Sequence, residues 1–563
     1  MSKSKIIIYQ VLPRLFGNKT TNNKFKGHLN ENGCGKFNHF TNKALSEIKN
    51  MGFTHIWYTG ILAHASKTDY TEHGIPKQYP EIIKGNAGSP YAIRDYYDVD
   101  PDLAVKVERR MKEFENMVSR THKNGMNVII DFVPNHLARD YKSIMKPEGA
   151  SEFGANDDPT CSFSPTNNFY YIPDKSLDLS LLLYDGEVAD YIEIPAKATG
   201  NDCFTHKPSQ YDWYETVKLN YGVDYQDWHQ HHFFPVPDTW HKMKDILLFW
   251  ADKKVDAFRC DMAEMVPLEF WKWVIPIVKS KFPNILFIAE IYNKDAYRNF
   301  LSVNAFDYLY DKVGLYDVVR DVACGYRPSS DITFTLNEVG DIQQYMLNFL
   351  ENHDEQRLAS SYFLGDAQKG VAAMILTACL NTNPIMVYFG QELGETGMDE
   401  EGFSGIDGRT TIFDYWSIDK IVRWNNNDKW NSDKLTEDER RLKNTYSSLL
   451  QLCNQEKAFS QGLFYDLMYA NYDNPAFNST KKYAFLRGDG ESLFLVVVNF
   501  NDKDSVVKVN IPDDAFTFFK VERKNISQAT PILYDNDSVV TCDETRLFEV
   551  NIEAFSGEIY KLD

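Results

Sequence analysis

The chain has 563 residues, too many for one compact domain, so two or three domains are expected. Its net charge is −20, from 80 acidic residues against 60 Lys and Arg, which argues against nucleic acid or an anionic membrane surface as partner. No run of about 18 apolar residues occurs, so no membrane span is predicted. The 8 Cys are irregularly spaced with no C-x-x-C, which gives neither a disulfide framework nor a zinc site. The apolar run that follows Met1 to Lys5 is too short for a signal peptide, and the expectation is a cytoplasmic protein.

Residues 6–11 read as a first strand, followed by a polar, Asn-rich loop. Residues 41–51 have helical periodicity and stop at Gly52, a plausible residue just past a helix end. Residues 53–58 are a second strand, and 59–89 form a long loop carrying Tyr, His and Lys. An amphipathic helix over 105–124 leads to a third strand at 128–132. From 137 to 235 the alternation of helix and strand breaks down, over a length too great for a plain loop. Asp238 is expected to cap a helix running to Asp252. A strand at 255–260, a helix at 270–279 and a strand at 285–289 follow. Residues 306–308 are predicted as a sixth strand, 349–352 as a seventh, and 436–456 as a helix. Beyond about residue 460, short alternating runs between Asp, Gly and Asn turns predict an antiparallel β-sandwich.

Four apolar runs end on polar, titratable residues. They are Val128-Ile129-Ile130-Asp131 with Asn135 and His136, Ala257-Phe258-Arg259-Cys260-Asp261, Leu286-Phe287-Ile288-Ala289-Glu290, and Phe349-Leu350-Glu351-Asn352-His353-Asp354. On a strand, residues i and i+2 share a face, so Arg259 and Asp261 project together. A guanidinium beside a carboxylate favours its charged form, which a carboxylate nucleophile requires. Taken alone, the pair is equally well read as a structural ion pair. Repeated at several strand ends, the pattern describes the catalytic face of an α/β (β/α)8 TIM barrel.

These four stretches, in this order and spacing, resemble the signature regions of the α-amylase family of glycoside hydrolases, family 13. The resemblance runs from about Ile6 to the C-terminus. It implies a catalytic barrel over 1–136 and 236–459, whose eighth strand begins near Pro384. It also implies an inserted irregular domain B over 137–235, after the third strand, and a C-terminal β-sandwich over 460–563. Asp261 would be the nucleophile, Glu290 the general acid and base, and Asp354 a ligand of the sugar's 2- and 3-hydroxyls. Arg259 would hold Asp261 ionised, with Asp131 supporting the arginine. Tyr91 would stack on the sugar, and His136 and His353 would donate hydrogen bonds to it. Among the residues of domain B, those at 211–214 could line the cleft or pack within the domain.

The same resemblance bears on metals and specificity. Asn30, Asn32, Gly33, Gly35 and Lys36 match a cation-binding loop of the family, but its carboxylates are missing and Lys36 replaces the last acid. Hard cations prefer several anionic oxygens, so no ion is expected there. Asn135 is the candidate metal ligand at a second site, where Met265 replaces a histidine of the family. No cofactor is required, and a structural calcium ion stays open. Ala92 replaces an acid used by exo-acting relatives, which leans towards an endo-acting or tolerant enzyme. The implied substrate is an α-glucan, cut at α-1,4 bonds with retention. Aromatic residues make up 14% of the chain, which suits stacking on sugar faces, although a large core buries most such rings. A transglycosylase or an α-1,6-acting or neopullulanase-like relative, and a non-catalytic carbohydrate-binding homologue, are the alternatives. The oligomeric state is not legible.

Overall fold

A computed structural model describes residues 4–184, 186, 188–522, 526, 528–534, 540–541 and 547–563. Met1 to Lys3 of the amino-terminal reading, and parts of the 460–563 stretch, lie outside the described residues. Eight parallel strands close into a barrel. They are β1 (Ile7–Val11), β2 (His55–Tyr58), β3 (Asn127–Phe132), β4 (Ala257–Cys260), β5 (Leu286–Ala289), β6 (Tyr308–Tyr310), β7 (Met346–Phe349) and β8 (Ile385–Tyr388). Each pairs with its neighbour in this series, and β8 closes on β1.

Strands covered on both faces read as nearly continuous apolar runs, and alternation then sorts their side chains. Ile8, Trp57, Ile129, Ala257, Ile288, Leu347 and Met386 form one apolar cluster that plugs the barrel. Tyr9, Ile56, Ile130, Phe258 and Phe287 belong to the larger core, which also takes in the surrounding helices. Two residues further along the inward face, Ile129 leads to Asp131, Ala257 to Arg259 and Asp261, and Ile288 to Glu290. The polar strand ends therefore rest directly on the apolar plug.

Helices α1 (Asn42–Asn50), α2 (Arg110–Lys123), α3 (Asp238–Asp252) and α4 (Leu268–Lys281) precede β2, β3, β4 and β5. Thr41 caps α1 by accepting from Ala44 N at 3.2 Å. Gly52 has φ 106°, and a Cβ there would meet the Leu450 backbone at 2.8 Å, so glycine is required on both counts.

Several boundaries move from the sequence expectation. α2 starts at Arg110 because the Glu113 carboxylate takes the backbone N–H groups of Val105 and Lys106. Asp238 is not the cap: Pro237 holds that position, and Asp238 is the first helical residue, its carboxylate accepting from Lys242 Nζ at 2.6 Å and Asn168 Nδ2 at 3.1 Å. β6 begins at Tyr308, not 306, since the Asp307 side chain accepts from Phe287 N and Lys279 Nζ. β7 lies at 346–349 rather than 349–352, because Glu351 and Asn352 turn back, with Asn352 Oδ1 accepting from Asp354 N and Glu355 N.

Between β3 and α3 the described residues form only short ladders, chief among them His136–Ala138 against Thr216–Lys218. At the C-terminus stands a six-stranded antiparallel sheet built around Lys482–Gly488, Leu493–Asn499 and Gly557–Leu562. A two-stranded ladder of Ser505–Asn510 with Leu547–Ile552 accompanies it. Arg487, fully buried in this sheet, donates to the carbonyls of Leu380 (2.8 Å), Ala458 (3.1 Å) and Gly462 (3.1 Å), which ties the sheet to the barrel helices. Among the described residues no helix is long and apolar enough to cross a membrane. Replacing Arg487 by Met is expected to destabilise the protein by about 3 kcal/mol or more, because buried carbonyls lose their donor. Thermal unfolding measures this, and an unchanged midpoint would show that apolar contacts alone hold the sheet.

Candidate active site

Arg259 is the centre of the barrel mouth. Its Nη1 lies 2.6 Å from Asp261 Oδ1 and 3.5 Å from Asp131 Oδ1, and its Nη2 lies 2.7 Å from Glu290 Oε1. The Nη1 contact to Asp261 is an aligned hydrogen bond, whereas the Nη2 contact to Glu290 is ionic and poorly aligned. The guanidinium is caged by the rings of Trp57, Tyr91 and Tyr310, with centroids at 5.2, 5.5 and 5.6 Å. It is 1% exposed, so its charge is shared among partners and not with water.

Asp131 is fixed from behind: its Oδ2 accepts from Trp57 Nε1 at 3.1 Å and Gly60 N at 3.3 Å. Burial pushes its carboxyl up to about 6 against the pull of Arg259. Burial also lifts Asp261 well above the usual carboxylate range; Arg259 opposes this and Glu290 reinforces it. Burial thus favours the protonated form of both Asp131 and Asp261, and the Arg259 guanidinium opposes it at each. The expectation that Arg259 keeps Asp261 ionised captures one of two opposing effects, because burial works against it.

Glu290 is held on both oxygens. Met262 N donates to Oε2 at 2.8 Å and Tyr292 Oη donates to Oε1 at 2.9 Å. Met262 has φ 43°, an uncommon conformation for a side-chain-bearing residue, and it turns this N–H onto the acid. The Tyr91 ring stacks on His353 at 5.2 Å and 23°, with its hydroxyl 2.6 Å from His353 Nε2. The Gln10 amide donates to His353 Nδ1 at 2.9 Å, and Asp354 Oδ2 lies 3.1 Å from Nε2. Burial, reinforced by Arg259, pushes His353 down to about 3, so it stays neutral. Burial, with Lys218 and Lys84, does the same for His136, also down to about 3. The His136 ring lies 5.1 Å from Trp213.

Tyr91, His136, Asp261, Glu290, His353 and Asp354 all line one cleft of about 370 Å³. Arg259 and Asp131 lie beneath it. Of residues 211–214, Trp213 lines the cleft, whereas Tyr211 is 86% exposed. The cleft also contains residues that the sequence did not single out. Tyr292 stands two residues past Glu290, where the strand alternation would have found it. Lys84 and Glu215, paired at 2.9 Å, and Phe413 come from separate loops and carry no local signal. Ala92 packs in a small apolar cluster with Ala65, Ile83 and Ala138.

Asn135 is engaged elsewhere than with a metal. Its Oδ1 accepts from Lys218 Nζ at 2.7 Å, and its Nδ2 donates to Gly200 O at 2.7 Å. Lys218 Nζ also lies 2.6 Å from Asp202 Oδ1. An ammonium thus stands between the two oxygens that a calcium ion would need, and these residues as arranged do not fit one. At the other loop, Lys36 Nζ donates to the carbonyl of Asp102.

The family model for "Alpha amylase, catalytic domain" matches residues 10–462. The chain belongs to the α-amylase family. It is similar to Alpha-amylase 3 of Dictyoglomus thermophilum, at 23% identity over 435 residues, which are 74% of this chain and 73% of that one. It is also similar to an α-1,4-glucan:maltose-1-phosphate maltosyltransferase of Cereibacter sphaeroides, at 34% over 93 residues, 16% of each chain. In fold it resembles the α-amylase of Geobacillus thermoleovorans, solved with acarbose: 17% identity, 99% of this chain, 98% of that chain, TM-score 0.62. As an α-amylase family member it is a glycoside hydrolase.

The raised Asp131 has a consequence for stability. A carboxyl at about 6 in the folded protein and 3.8 when free binds more protons folded than unfolded between those values. Stability therefore falls as pH rises from about 4 to 6, and Asp131→Asn is expected to remove about 3 kcal/mol of that slope. Urea unfolding of both proteins across this range tests it; parallel curves would refute the assignment.

Proposed function

We propose that this enzyme cuts α-1,4 bonds of starch, glycogen or maltodextrins with retention. The observation that carries the reading is that Asp261 and Glu290 contact one guanidinium at the floor of a cleft. Asp261 attacks the anomeric carbon while Glu290 gives its proton to the departing glycosidic oxygen. Glu290 then takes a proton from water, and the resulting hydroxide displaces Asp261 from the glycosyl ester. Arg259 stabilises whichever carboxylate is charged at each stage. The Met262 N–H can only donate, but the Tyr292 hydroxyl can turn from donor to acceptor as Glu290 gains its proton. His136, held neutral, donates to a sugar hydroxyl without adding positive charge beside the developing oxocarbenium, while His353, also neutral, holds Tyr91 and Asp354 through its Nε2. Tyr91 offers its ring to the apolar face of the sugar. Asp354 accepts from the 2- and 3-hydroxyls.

A second reading, transfer to a sugar acceptor, is favoured by the likeness to the maltosyltransferase and by Met262 and Tyr292, which place apolar and aromatic surface beside the acid. The intact carboxylates weigh against a non-catalytic role.

A timed product profile on maltoheptaose, amylose, pullulan and panose tests both readings. Shorter maltooligosaccharides are expected from amylose, with the rate falling about 10⁴-fold or more in Asp261→Asn and Glu290→Gln. Products longer than maltoheptaose would establish transfer. Cleavage of panose or pullulan alone would shift the reading to α-1,6 or neopullulanase-like chemistry. Equal rates for the wild type and Asp261→Asn would overturn the catalytic assignment.

A further inference from the structure

Lys218 ends the strand Thr216–Lys218, and its register partner is His136, the residue after Asn135. Its side chain is 2% exposed. The ammonium lies 2.7 Å from Asn135 Oδ1, 2.6 Å from Asp202 Oδ1, and 5.5 Å from the centroid of the Tyr225 ring. Asn135 is locked in this orientation because its amide donates to the Gly200 carbonyl at 2.7 Å. Backbone bonds close the same junction, with Lys218 N on Ala198 O at 2.9 Å and Leu219 N on Asn135 O at 3.0 Å. One buried cation thus joins the loop after β3 to two separate parts of the inserted segment, around 200–202 and around 218.

A buried ammonium is tolerated only where it is paired and hydrogen-bonded. Here a carboxylate, an amide oxygen and an aromatic face meet that requirement. A divalent cation would be badly served by the same set, since calcium takes six to eight oxygens and an aromatic face supplies none. We propose that Lys218 is a tethered, chain-encoded replacement for a divalent cation at this junction, so that the inserted segment is anchored with no metal to lose. The junction also supports the cleft wall, because His136 sits in the cleft on the strand that Lys218 pairs with.

The test is thermal unfolding of the full chain, which does not depend on the catalytic assignment. Wild type, Lys218→Met and Asp202→Asn are each melted after exhaustive chelation and again in millimolar calcium. The wild-type midpoint is expected to be the same in both conditions, and both variants are expected to melt several degrees lower. Should Lys218→Met fail to fold, Asp202→Asn, which keeps the ammonium on Asn135, decides by its own midpoint. The proposal is overturned if chelation lowers the wild-type midpoint and calcium restores it. It is equally overturned if the variants melt with the wild type.

Discussion

A single guanidinium, shared by three buried carboxylates on top of an apolar plug, sets the terms for the rest of the cleft. Arg259 cannot be lost without leaving Asp131, Asp261 and Glu290 as adjacent, nearly dry acids. Burial raises the proton affinity of Asp131 and Asp261, and the single guanidinium opposes it at both. The aromatic cage of Trp57, Tyr91 and Tyr310 keeps water from the guanidinium. Charge placement and ring placement are thus one constraint seen from two sides.

The loops answer to this centre. Tyr91 arrives from the loop after β2, His136 from the strand after β3, and Phe413 from beyond β8. Each joins the cleft through a local lock: His353 for Tyr91, the Lys218 junction for His136, and the Arg409 guanidinium on the Asp354 carbonyl at 2.6 Å for the far wall. Uncharged imidazoles at 136 and 353 add no positive charge to the cleft, whose Lys84 is paired with Glu215. Binding surface and catalytic charge are therefore supplied by different parts of the chain, loops for the first and strand ends for the second.

What was legible in the sequence follows that division. Strand alternation led from Ile129, Ala257 and Ile288 to Asp131, Arg259, Asp261 and Glu290, because period two is a local property of the chain. The same period of two places Tyr292 on the face of Glu290, although Tyr292 was not among the residues singled out from the sequence. The pair of Lys84 and Glu215 had no such signal, since it joins residues 131 positions apart through folding alone. β6 and β7 were misplaced by two or three residues where polar side chains satisfied backbone groups that periodicity cannot see. Asp238 had the composition of a cap, but Lys242 and Asn168 claimed its carboxylate. Asn135 looked like a metal ligand because nothing near it in sequence announces Lys218.

The central claim is that Asp261 forms a covalent bond to the sugar while Arg259 and Glu290 flank it. The direct measurement is mass spectrometry of the intact enzyme quenched during turnover of a 5-fluoro-α-glucosyl fluoride, whose fluorine slows breakdown of the ester. The account predicts a mass increase of one fluoroglucosyl unit, mapped by peptide digestion to the segment containing Asp261 and absent in Asp261→Asn. Attachment at another carboxylate, or rapid turnover with no adduct in either protein, would contradict it.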